Sequence, residues 1–186
     1  MVGIPELWLP IAAASVIVFL ASSILHMLLP FHRADYRQLP DEDGIADAIR
    51  RANVAPGQYM FPWCADAKTA SSPEMKAKFQ RGPVGVLVRM PDGGHNMGKY
   101  LGLWLLYCVL VSVFAAYLAG RTLAAGADYL AVFRISGTVA FGAYGLAHFA
   151  DSIWKGQPWS NTARAMIDGV IYAGLTGGAF GWLWPA

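Results

Sequence analysis

The stretch LWLPIAAASVIVFLASSILHMLL, residues 7–29, contains no Lys, Arg, Asp or Glu. At roughly 1.5 Å per helical residue it is long enough to cross a hydrocarbon core of about 30 Å. Glu6 precedes the run and Pro30-Phe31-His32 follows it. A cleaved secretory leader would instead show basic residues before a shorter apolar stretch and a small-residue cleavage site after it. The run therefore reads as a retained first membrane helix, and the rest of the chain is organised around it.

Two more such runs follow. Tyr100 to Gly120 is uncharged, and Tyr129 to Ala150 contains only Arg134. A fourth, Ala165 to Trp184, carries Asp168 in its first turn and Trp182 and Trp184 at its end, where indoles favour the membrane interface. The composition agrees: the 186 residues are 56% hydrophobic and 14% charged, with mean hydropathy +0.40, whereas soluble domains carry about a quarter charged residues. The expected fold is an all-α integral membrane protein. It is a four-transmembrane-helix bundle with a small α+β soluble insertion between helices one and two. The divisions are residues 1–29 for the first helix, 30–98 for the insertion and 99–186 for helices two to four. Short links make the last three helices antiparallel neighbours.

Within the insertion, Asp41 to Ala52 has helical spacing, acidic at its start and basic at Arg50-Arg51, as the helix dipole favours. Ser72-Pro73-Glu74 followed by Gly82 marks a helix over residues 73–81. Gln58 to Phe61 and the alternating Val84, Val86 and Val88 predict two short strands that can pair. A ribbon and two short helices bury too little to stand alone, so docking on the helix ends or on a partner is expected, with Phe61 and Trp63 as anchors.

All of the Lys and Arg except Arg121 and Arg134 fall on the side of the insertion. The positive-inside rule then places residues 30–98 in the cytoplasm and both termini outside, and small size with compact loops suits a bacterial inner membrane. Net charge near +2 gives no argument for nucleic acid, and the scattered basic residues suit topology and the lipid bilayer. Cys64 and Cys108 fall in different solvents, so a bridge between them is not expected.

Gly169, Ala173, Gly177 and Gly181 recur every four residues in the fourth run, a pattern that lets backbones approach closely. Gly142 and Gly145 in the third run offer a matching surface. A second protomer is the alternative, which would make a homo-oligomer or a subunit of a membrane complex. His26 and His148 sit near the loop ends of helices one and three, at the same expected depth. Such a pair can hold a haem iron, or His148 with Asp151 a divalent metal, against the plainer reading of interfacial hydrogen bonding. Arg164 and Asp168, one turn apart, predict an intrahelical ion pair; alternatively Asp168 joins His148 or Asp151 in a polar cluster for a cation or proton. No nucleophile elbow or phosphate loop occurs. The expected role is therefore a non-catalytic scaffold or accessory subunit. The alternatives are a haem- or metal-binding redox or transport component using His26 and His148, and an ion or proton pathway.

Overall fold

A computed structural model describes residues 1–94 and 96–186; His95 lies outside the described residues. The helices are α1 (Trp8–Ser23), α2 (Glu42–Arg51), α3 (Ala67–Ala70), α4 (Pro73–Arg81), α5 (Met97–Thr122), α6 (Tyr129–Tyr144), α7 (Phe149–Lys155) and α8 (Trp159–Trp182). The strands are β1 (Gly57–Phe61) and β2 (Gly85–Arg89). The chain forms two compact units: Arg37–Gly94 with Ile153–Gly156 is one, and the apolar helices form the other.

Three stretches are helical, long and apolar enough to cross a membrane: Ile4–Leu28, Met97–Thr122 and Tyr129–Lys155. Their outward side chains, among them Trp8, Val16, Leu20, Leu106, Leu110 and Phe114, are exposed. Water would penalise such a surface and lipid accepts it. α8 is long but more polar, and it turns Thr162, Asp168, Tyr172 and Thr176 inward, where all four are buried.

The helical unit packs around two buried clusters. Leu7, Ala14, Ala115, Ala116, Val132 and Phe180 fill one end; Val18, Cys108, Val111, Ala140, Tyr144 and Tyr172 fill the other. Glycine decides how closely α8 approaches α6. A Cβ on Gly169 would stand 2.6 Å from the Gly145 Cα, one on Gly177 2.9 Å from the Phe133 carbonyl oxygen, and one on Gly181 2.7 Å from the Tyr129 ring. Ala173 lies on the same seam, its carbonyl oxygen 3.3 Å from where a Cβ on Gly137 would sit. The stripe of α8 thus faces α6 of the same chain, whereas Gly142 and Gly174 border open space.

Two departures from regular helix shape the bundle. The first apolar stretch does not run as one α-helix to Leu29: it widens into a π-turn over Ile24–Leu28 and ends where Leu29 becomes extended ahead of Pro30. The third breaks at Gly145 into a 3-10 turn, Leu146–His148, before α7 resumes. His148 closes the 3-10 turn and Asp151 lies in the first turn of α7. The break falls where the Gly145 and Gly169 backbones touch, and Thr162 compensates by bonding the Ser152 hydroxyl at 2.6 Å and approaching the His148 carbonyl at 3.4 Å.

In the other unit, Asp41 caps α2 and Ser72 caps α4 through the amide of Met75, and Gly82 ends α4 with φ +62°. β1 and β2 pair antiparallel in the register Gly57↔Arg89 to Phe61↔Gly85. Asp66 caps the additional short helix α3, which local spacing did not suggest. Cys64 and Cys108 are free thiols.

Candidate metal centre

Pro30 to Asp35 folds as a 3-10 helix with proline in its first turn. With three residues per turn, side chains at i and i+3 eclipse, so His32 and Asp35 stand one above the other. The His32 Nδ1 to Asp35 Oδ2 distance is 2.6 Å. On α8, Asn161, Arg164 and Asp168 follow the three- and four-residue spacing of one helical face. Arg164 Nε–H donates to Asp35 Oδ1 at 2.5 Å, and Asn161 Nδ2–H donates to the Asp35 carbonyl at 3.1 Å while its Oδ1 accepts from Arg164 at 2.9 Å. That face fastens the 3-10 turn to the bundle. Burial alone would raise the Asp35 carboxyl, but the His32 hydrogen bond and the Arg164 guanidinium outweigh it and hold the carboxyl below the usual range.

Asp35 fixes the chemistry of His32. An Nδ1–H donated to a carboxylate leaves Nε2 as the lone-pair nitrogen, the arrangement found behind metal-bound histidines. That Nε2 lies 3.0 Å from Asp168 Oδ2, yet it has no aligned hydrogen-bond partner, and Asp168 Oδ1 has none either. Proximity meets the distance of an ion pair while the angles miss those of a hydrogen bond. With Nδ1–H given to Asp35, both atoms are acceptors, and two acceptors 3.0 Å apart repel unless a proton or a metal cation lies between them. His26 completes the group. Its Nε2 is 3.4 Å from Asp168 Oδ2, and its ring stacks on His32 with centroids 3.9 Å apart. The π-turn holds His26 there, and such turns recur at functional sites.

One ligand atom from each of His26, His32 and Asp168 lies within 4.8 Å of the others, the one such grouping among the described residues. Bonds of about 2.1 Å in tetrahedral geometry put ligand atoms roughly 3.4 Å apart, so the observed 3.0 and 3.4 Å suit a small ion. Charge agrees. Arg164 neutralises Asp35, while Asp168, only 6% exposed, faces two imidazoles and no Lys or Arg in an ion pair among the described residues. A buried carboxylate in that position calls for a cation. The stacked imidazoles of His26 and His32 leave no space for a porphyrin between them.

The group opens on a cavity of about 520 Å³, walled by Trp104, Tyr144 and Tyr172, with His148 also on its lining. The Trp104 indole N–H donates to Ser22 at 2.6 Å, and the Tyr172 hydroxyl, one helical turn beyond Asp168, has no protein partner. Of the residues singled out by sequence, His26 and Asp168 come together. His148 shares the cavity without joining the ligand group, Asp151 lies on α7 outside it, and Arg164 pairs with Asp35 in place of Asp168. The residues that sequence reasoning missed are His32 and Asp35. Their signal was His-x-x-Asp following Leu-Pro-Phe at a helix end, a spacing that here becomes a pair in a 3-10 turn.

Asp35→Asn keeps the volume but removes the anion that orients His32. Metal affinity should fall by about 10- to 100-fold, as for other groups behind a ligand, measured by Co²⁺ titration. The same carboxyl has a lowered pKa in the folded state, so its contribution to stability is present above the ordinary carboxylate range and is lost as pH falls through the depressed value. In melts of the metal-free protein carried from neutral into acid, Asp35→Asn should lie below wild type at neutral pH. The two should converge in acid; a constant gap would remove the assigned linkage.

Comparison with protein-family models, with curated proteins and with solved structures finds no match to this chain. The donor set alone defines the class of site, a two-histidine, one-carboxylate grouping at the end of an apolar helical bundle.

Proposed function

We propose that this protein is a membrane-embedded metalloprotein in which His26, His32 and Asp168 hold one divalent transition-metal ion, with coordination positions open to the cavity. The observation that carries the reading is the orphaned His32 Nε2, set by Asp35 and facing Asp168 Oδ2 at 3.0 Å. Three protein ligands and an open side are the donor count of zinc sites that act on substrates, and two histidines with one carboxylate also suit ferrous iron. An ion held there would polarise a substrate oxygen or acidify a bound water. We prefer this reading to the scaffold role, because the glycine stripe that could have met a partner faces α6. Metal-dependent chemistry at the cavity is the activity we assign.

The test is elemental analysis of the protein purified from cells grown with trace metals, followed by Co²⁺ substitution. One ion per chain and a visible ligand-field spectrum are expected. A fully metal-free preparation that gives no spectrum with Co²⁺ would sink the proposal.

The same reading takes α8 as a fourth crossing. Its 24 residues span about 36 Å, and its polar residues point into the bundle. Both termini are then outside and residues 30–98 cytoplasmic, in a bacterial inner membrane. Native Cys64 reports on this, because it is partly exposed while Cys108 is buried. An impermeant maleimide should label Cys64 in inside-out vesicles and leave it untouched in intact spheroplasts; the reverse pattern would invert the topology.

A further inference from the structure

We infer that the metal site takes a single-chain amphiphile, its oxygen-bearing head on the ion and its hydrocarbon tail in a groove between α1 and α5. This rests on the metal reading above. A groove of about 460 Å³ runs between these helices past Met27, Met97 and Leu101, and its lining shares His26 and Trp104 with the metal cavity. The two spaces thus adjoin at a ligand and the indole beside it.

The groove is chemically suited to hydrocarbon. Ser22 and Ser23 border it, but both hydroxyls donate to the Phe19 carbonyl, at 2.8 and 2.9 Å, and Ser22 also accepts from Trp104. No unmet hydroxyl is left for a tail to cover, so apolar contact there carries no desolvation penalty. Both walls belong to stretches long and apolar enough to lie in lipid, so a molecule already in the bilayer can reach the groove sideways.

His26 stands at the junction. Its side chain is 47% exposed, against 11% for His32 and 6% for Asp168, so of the three ligands it is the one most accessible from outside. The lining of the metal cavity also carries Gln157 and Asn161. A polar lining, an ion and an adjoining apolar groove match a molecule with a polar head and one chain. A small water-soluble substrate would leave the groove unexplained.

The test uses the full chain in phosphatidylcholine nanodiscs, loaded with Co²⁺ and exposed to palmitate bearing a photoreactive group a few carbons from its carboxylate. Crosslinks should concentrate in residues 22–27 and 97–104, and palmitate, unlike acetate, should shift the Co²⁺ spectrum at micromolar concentration. Leu101→Trp and, independently, Met27→Trp fill the groove and should cut crosslinking by about tenfold while leaving Co²⁺ binding intact. Leu103→Trp, on an exposed position of α5 outside the groove lining, should change neither. Crosslinks spread evenly over the lipid-facing helices, or equal spectral shifts with acetate, would overturn the inference with the metal reading still standing. Failure of wild type to bind Co²⁺ would overturn both.

Discussion

Asp168→Asn should lower Co²⁺ and Zn²⁺ affinity by at least about 100-fold, since loss of a direct ligand exceeds the 10- to 100-fold cost of losing a group behind one. The substitution changes volume very little, so the fold is left as a control on the chemistry. Asp168 supplies the only negative charge in the ligand group; His26 and His32 contribute neutral nitrogens. An amide oxygen in its place offers a dipole where the ion meets a full charge, at a buried position where that difference is large. Competition against a chelator gives the affinity directly. A second readout comes from mass action: saturating metal should raise the melting temperature of wild type and leave Asp168→Asn unchanged. Asp92→Asn, at an exposed carboxylate paired with Arg89, is the control for generic loss of charge. Equal affinity in Asp168→Asn and wild type would remove the carboxylate, and with it the metal assignment.

The second large effect concerns packing. Gly169→Ala inserts a Cβ 2.6 Å from the Gly145 Cα and 2.9 Å from its nitrogen. Both are backbone atoms, so no side chain can swing aside; α8 and α6 must separate. Overpacking of this kind costs about 1–3 kcal/mol and occasionally more, a fall of several degrees in melting temperature for a chain of this size. Gly174→Ala, five residues further along the same helix, adds the same methyl to open space. It should be neutral or slightly stabilising, because alanine is the better helix former. The comparison separates helix propensity from interhelical contact. If both variants melt together with wild type, the close α6–α8 approach is not what stabilises the bundle.

Gly169 adjoins Asp168, so the two effects are coupled. Moving α8 away from α6 also moves the face that holds Arg164 against Asp35 and Asp168 beside His32. Gly169→Ala should therefore weaken metal binding as well, by less than Asp168→Asn, since the ligands survive and only their spacing changes.

The sequence by itself determined the apolar helices, because a run such as residues 7–29 has one stable state in lipid and the requirement is local: length and the absence of charge. It also determined α2, α4 and the two strands, whose caps, dipole charges and alternation lie within a few residues of the elements they specify. It located the glycine stripe of α8, since spacing on a helix is periodic, but left the stripe's partner open between α6 and a second protomer. Only the tertiary structure decided that the stripe meets α6, because backbone approach depends on how two helices cross.

The metal group lay furthest from local reading. His26 and Asp168 were visible as costly residues in apolar surroundings, and pairing His26 with His148 followed from assuming regular helices. A π-turn at His26, a 3-10 turn at His32 and a break at Gly145 all depart from that assumption, and each shifts a side chain around its axis. The contacts that hold those departures, Arg164 to Asp35 and Thr162 to Ser152, come from α8. His26 and Asp168 were therefore legible in the sequence, whereas the recruitment of His32 and Asp35 and the choice of which nitrogen meets which carboxylate were made by long-range packing, since a rotation of one residue redirects a ligand atom by about 100°.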